Sequence, residues 1–280
     1  MAVDVRTGAL RWVELEASRT AEQPTAVLDV LGRNLDGITV AAVLSEAEAA
    51  RAVERLERHR QATTPAMFGS MLGTPLADLD RLGDDLSDRT PYLDEAERCR
   101  GYYREAFGFD PHERIAEVLT PMAGGRAVEP PREGGRPYNP GNVRWFEPGS
   151  GGLPAHVGNE FALQHDATTS HLRTTTTTRD HLSYFLILQA PESGGGLSIY
   201  DLVHDRARPG GGDWTEDGRD DRELAPHVAK LIPPRPGDLL LFGGGWRWHR
   251  VDEIGGSRPR VTYGGFGGPS LDGRSVHLWF

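Results

Sequence analysis

From residue 142 onward the chain is a series of short apolar runs separated by glycine and proline, with no helical periodicity between them. No other feature limits the fold as much. Residues 142–147, 182–189, 197–200, 239–242, 258–266 and 275–280 each have strand length. Turn residues such as Gly194-Gly195-Gly196 and Pro236-Gly237-Asp238 bound them. A parallel α/β fold needs helices between its strands, and this region predicts none. Several short strands at this spacing predict a sandwich or jelly roll.

The first 125 residues read differently. After a weakly patterned start, residues 37–44 have a strand pattern. Ser45 and Glu48 then have the spacing of a capping box. Ala49, Val53 and Leu56 follow on one helical face. Further helices are predicted over 93–107 and 111–119, the latter opening on Pro111. Residues 61–75, with Met67, Phe68, Met71 and Leu72 as apolar anchors, read as a loop, either packed or a lid over a pocket. The threonine run 174–178 is strand or connection, and residues 204–222 form a charged, glycine-rich insertion. Gly124-Gly125 and the Pro/Gly-rich stretch 129–141 mark a change in composition. The expectation is one domain over 1–280, mostly helical over 1–125 and β-rich over 126–280.

Composition restricts the partners. A net charge of −10 argues against a nucleic-acid polymer or an anionic membrane as partner. Cys99 is the single cysteine, which rules out an intramolecular disulfide and a cysteine-rich zinc site. No run is long and apolar enough to span a membrane, and the start lacks the form of a signal peptide. These features together predict a cytoplasmic protein.

The chemistry-bearing residues lie at the edges of the predicted strands. His156 stands two residues before Gly158, and i and i+2 share a face of an extended segment. Non-haem iron sites use this spacing as His-x-Asp or His-x-Glu. Here the carboxylate position is glycine, and the chain contains no His-x-Asp or His-x-Glu at all. His249 follows the strand 239–242 through Gly243-Gly244-Gly245. Eleven residues later, Arg260 shares a strand face with Thr262. Two neutral imidazoles suit Fe(II). A buried arginine beside a hydroxyl suits a bound carboxylate.

His156-x-Gly158, Gly194-Gly195-Gly196, the Gly237-Asp238 strand, His249 and Arg260-x-Thr262 occur in that order. Together they resemble the Fe(II)/2-oxoglutarate-dependent oxygenases. Within these they are most similar to the freestanding radical halogenases that chlorinate free amino acids. The resemblance runs over 136–280. It implies a mainly β fold with flanking helices around a double-stranded β-helix (jelly roll, cupin-like) core. It further implies Fe(II) on His156 and His249, 2-oxoglutarate held by Arg260 and Thr262, and chloride in the place opened by Gly158. With O2 as oxidant, an unactivated C–H bond of a small-molecule substrate, an amino acid first of all, would be chlorinated. Tyr184 either reaches the cosubstrate or is core. Asn159, Glu160, Arg144 and Tyr138 are candidates for the substrate clamp, with capping, solvation or packing as the alternatives. Two other readings remain: a hydroxylase of an amino acid or nucleotide that uses the same cofactors, and a non-catalytic binding protein of the same fold.

Overall fold

The computed structural model describes residues 10–83, 85–159, 165–204 and 227–280. Two β-sheets carry the fold. The larger has ten strands. Four come from the N-terminal part: β1 (Trp12–Glu16), β2 (Gly37–Ala41), β3 (Thr63–Ala66) and β4 (Gly69–Leu72). The others are β5 (Ala127–Glu129), β6 (Asn142–Phe146), β8 (Leu182–Gln189), β11 (Leu239–Phe242), β13 (Arg260–Pro269) and β14 (Ser275–Trp279). The smaller sheet holds β7 (Leu153–His156), β9 (Leu197–Val203), β10 (Val228–Ile232) and β12 (Arg247–Val251). The larger sheet runs β1-β2-β11-β8-β13-β6-β4-β3, with β14 on β13 and β5 on β14; the smaller runs β10-β9-β12-β7.

Strand alternation gives the larger sheet two different faces. Leu182, Leu186 and Leu188 of β8 pack on one side with Val143 and Trp145 of β6 and Val261 and Tyr263 of β13. Three helices cover this side: α2 (Glu46–Leu56), α3 (Thr90–Phe107) and α4 (Pro111–Leu119). They contribute Val53, Leu56, Tyr103 and Ile115 to the same cluster. A short α1 (Ala26–Leu31) adds Val27 and Val30. Each large side chain buried here stabilises the fold by roughly 1.5–3 kcal/mol. The opposite face turns toward the smaller sheet. There Ile187, Leu240 and Phe242 meet Leu197, Ile199 and Ile232 at one end. At the other end Arg144, Phe146, Arg260 and Thr262 border a cavity.

The capping box forms as the spacing predicts: Ser45 Oγ accepts from Glu48 N at 3.2 Å, and Ser45 N donates to Glu48 at 2.8 Å. Asp110 caps α4 by accepting from His112 N at 3.0 Å. Three expectations change. The weakly patterned start contains β1, which pairs in parallel with β2. The strand over 37–44 ends at Ala41, and Ala42 takes a left-handed backbone (φ 56°). The stretch 61–75 is a hairpin of β3 and β4 that extends the larger sheet through β6. Alongside its helices the N-terminal part supplies four strands, because its edge segments complete ladders that start in distant sequence. The insertion 204–222 lies outside the described residues after His204. Among the described residues no helix is long and apolar enough to cross a membrane.

Candidate metal and anion site

The cavity between the sheets has a volume of about 380 Å³. On the smaller sheet, β7 and β12 are antiparallel neighbours, and His156 stands directly opposite His249. Opposed residues share a face, so the two rings come together with centroids 4.1 Å apart. Each ring is oriented from behind. His156 Nδ1 lies 2.8 Å from the Pro154 carbonyl, and His249 Nδ1 lies 2.8 Å from the Arg247 carbonyl. A carbonyl accepts only, so both Nδ1 atoms carry hydrogen, and in a neutral ring the lone pair then lies on Nε2. This is how metal-binding histidines are set by their outer contacts. Burial, followed by the neighbouring His156, holds His249 well below its ordinary pKa, so its imidazole is neutral. Among the described residues no further His, Cys, Asp or Glu joins the pair as a third metal ligand.

Gly158 lies beside this pair. Its N–H donates to the Gly244 carbonyl, and that of Asn159 donates to Gly245, both at 2.8 Å. Gly245 N in turn donates to the His181 carbonyl at 2.8 Å. The triple-glycine turn thus ties three segments together, where side chains would keep their backbones apart. A Cβ built on Gly158 would overlap Nε2 of His181. His181 is 4% exposed, and burial takes its pKa down to about 4.

Across the cavity, Arg260 is 1% exposed. Its guanidinium lies over the rings of Phe146 and Phe185, each at 5.0 Å. Its Nε has no hydrogen-bond partner, and among the described residues no carboxylate pairs with it. Burial, followed by repulsion from Arg144, lowers its pKa to about 9. Arg144 stands opposite Thr262 in the ladder and lies 4.6 Å over Phe280. Burial takes it down to about 10. Two cations without a buried acid among the described residues to pair with Arg260 make this wall a receptor for anions. The remaining lining is largely apolar and includes the aromatic residues Phe68, Phe266, Trp279 and Phe280.

His156, Gly158, His249, Arg260, Thr262 and Arg144 thus border one cavity. Other candidates lie elsewhere. Tyr138 does not line the cavity; its hydroxyl donates to Glu133 at 2.9 Å. Asn159 is buried and locked to Asp180, donating through Nδ2 at 2.7 Å and accepting from Asp180 N at 2.8 Å. It holds backbone and does not line the cavity. Tyr184 borders the cavity, but its hydroxyl donates to the Pro140 carbonyl, and the side chain packs among the helix-facing residues. Glu160 lies outside the described residues. His181 and Trp279, which are not among the sequence candidates, also line the cavity. A signal for His181 was available: it has the parity of Ser183 and Phe185, which also line the cavity.

Two solved structures have a similar fold. One is an N-substituted L-amino acid dioxygenase from Burkholderia ambifaria AMMD: 17% identity, 90% of each chain covered, TM-score 0.56. The other is such a dioxygenase from the same organism in complex with alpha-KG: 15% identity, 90% of each chain covered, TM-score 0.54. A search of curated proteins gives no match. The family model described as carrier-protein-independent halogenase WelO5 matches residues 9–280. That span holds the histidine pair, Gly158, Arg144 and Arg260, and on it the chain belongs to the carrier-protein-independent halogenase WelO5 family.

Proposed function

We propose that this chain is an Fe(II)- and 2-oxoglutarate-dependent halogenase of a free small molecule, built on a jelly-roll core formed by the two sheets. The observation that carries this reading is the histidine pair with glycine where a His-x-Asp motif places its carboxylate. The residues fit the groups. Two opposed imidazoles, each with Nδ1 engaged by a backbone carbonyl, suit Fe(II). Arg260, buried and without an acid, suits the distal carboxylate of 2-oxoglutarate, with Thr262 beside it. Gly158 presents no donor atom, which leaves its place to chloride. Bound there with 2-oxoglutarate and O2, the iron supplies the oxidising power to break an unactivated C–H bond.

The protein's own part is placement. The Pro154 and Arg247 carbonyls fix the imidazole rings. Phe146 and Phe185 fix the Arg260 guanidinium between them. The aromatic lining excludes water and orients substrate by shape. Arg144 is the group for a substrate anion. An ammonium would need a free acid. Asp78, which lines the cavity, pairs with Arg81 at 3.1 Å, and Glu160 lies outside the described residues. The lining therefore favours a largely apolar carboxylic acid, or an amino acid whose amine is blocked, over a free zwitterion.

A hydroxylase with the same cofactors is the second reading. It is favoured by the unpartnered Nε2 of His181, which in a neutral imidazole is a hydrogen-bond acceptor and so suits a water better than an anion beside Gly158. Anaerobic loading with Fe(II), 2-oxoglutarate and chloride, followed by O2 and mass spectrometry, separates the two. The panel compares apolar carboxylic acids and N-acylated amino acids with free amino acids. A product with the chlorine isotope pair, absent without chloride, is expected. Hydroxylated product alone would replace halogenation by the second reading. No Fe(II) binding, in a protein whose His156→Ala and His249→Ala variants behave identically, would remove both.

A further inference from the structure

Nothing in the backbone requires glycine at position 158. Its φ is outside the left-handed region, so an L side chain suits the conformation. The obstacle is the ring of His181. A Cβ at 158 would overlap Nε2 and lie 2.6 Å from Cε1, with the Gly244 carbonyl at 3.1 Å.

The ring is held on every side. Nδ1 donates to the Thr178 carbonyl at 2.9 Å. The edges of the ring meet Phe266 and Trp279, with centroids at 5.0 and 6.2 Å. The preceding residue, Asp180, takes a left-handed backbone (φ 55°) and is held reciprocally by Asn159. Arg33 pairs with Asp180 at 2.6 Å. Asn159 adjoins Gly158 in sequence, so the same contacts fix both sides of the gap. Nε2 itself is buried, has no hydrogen-bond partner, and faces Gly158.

We propose that His181 determines what can stand beside Gly158: its ring bars every protein side chain, the carboxylate of a His-x-Asp motif included, and leaves the neighbouring space of the cavity to a small external ligand. This rests on the functional reading above only in that the place borders a bound metal. Aspartate at 158 alone then fails to rebuild a three-ligand site. It becomes a ligand only when residue 181 is made small.

The test has two independent readouts. The first is the melting temperature of the metal-free chain as wild type, Gly158→Ala, His181→Ala and the double variant, with His181→Ser as a second small residue and His181→Phe to retain the bulk. Gly158→Ala is expected to lower Tm by about 5 °C in the wild-type and His181→Phe backgrounds, and by less than half as much with alanine or serine at 181. An equal fall in every background would overturn the proposal and assign the exclusion to the Gly244 carbonyl. The second is Co(II) affinity by calorimetry. Gly158→Asp with His181→Ala is expected to bind about tenfold more tightly than either single variant. A single Gly158→Asp variant that binds as tightly as the double variant would also overturn it. Absence of Co(II) and Fe(II) binding in the wild type would defeat the metal reading instead, and the Tm coupling would still decide the role of His181.

Discussion

Replacing Arg260 by methionine should stabilise the ligand-free protein and abolish cosubstrate binding. Arg260 is 1% exposed, has no carboxylate partner among the described residues, and faces the charge of Arg144. Lowering its pKa from 12.5 to about 9 corresponds to roughly 5 kcal/mol against the charged form in the fold. The faces of Phe146 and Phe185 offset about 3 kcal/mol of this. The net cost of keeping the cation is on the order of 2 kcal/mol. Methionine fills similar space without charge, so Tm should rise by about 5 °C in the absence of ligand. With 2-oxoglutarate the order reverses. Wild type gains about 2.7 kcal/mol at a hundredfold excess over Kd, and the variant gains nothing, because its affinity falls at least about 100-fold. Calorimetric melting with and without 2-oxoglutarate reads both effects. A variant that melts lower without ligand yet keeps its affinity would refute the anion-receptor reasoning for this wall.

Acid stability should depend on His181. Its folded pKa, about 4, lies below the ordinary histidine value of about 6.5, so the unfolded chain takes up the proton first as pH falls. Stability contributed by the neutral ring is present above about pH 6.5 and is lost toward pH 4, at roughly 1.4 kcal/mol per pH unit. Urea unfolding at pH 7, 5.5 and 4.5 should show a shallower decline for His181→Phe than for wild type; parallel declines would exclude this residue. Asn159→Ala removes both hydrogen bonds to Asp180 and should cost about 2 kcal/mol. An unchanged urea midpoint would show that Arg33 alone holds that turn.

Local signals were legible where the local chain decides the outcome. The Ser45–Glu48 box, the helix from Pro111 and the strands 182–189 and 239–242 form with the expected chemistry and the expected bounds. They depend on neighbours a few residues apart. The hairpin at 63–72 was read as a loop because its strands are short and its inner strand, β4, pairs with β6, more than seventy residues away in sequence. β1 escaped for the same reason, since only β2 gives its backbone groups partners. Asn159 and Tyr138 carried the right chemistry for a clamp, but their polar atoms are used by Asp180 and Glu133, which no spacing rule indicates.

The sequence by itself determined a β-rich core, the absence of a His-x-Asp or His-x-Glu motif, and the order of histidine, glycine, histidine and arginine that resembles this family. Those properties belong to residue type and period, which a linear chain already carries. Only the tertiary structure decided that the two histidines face each other across adjacent strands. It also decided that Arg144 and Arg260 face the cavity without a carboxylate among the described residues to pair with Arg260, and that the His181 ring stands where a side chain at Gly158 would begin. Each of these is a relation between segments brought together by strand pairing and burial. Side-chain direction, desolvation and steric overlap exist only once both partners are in place.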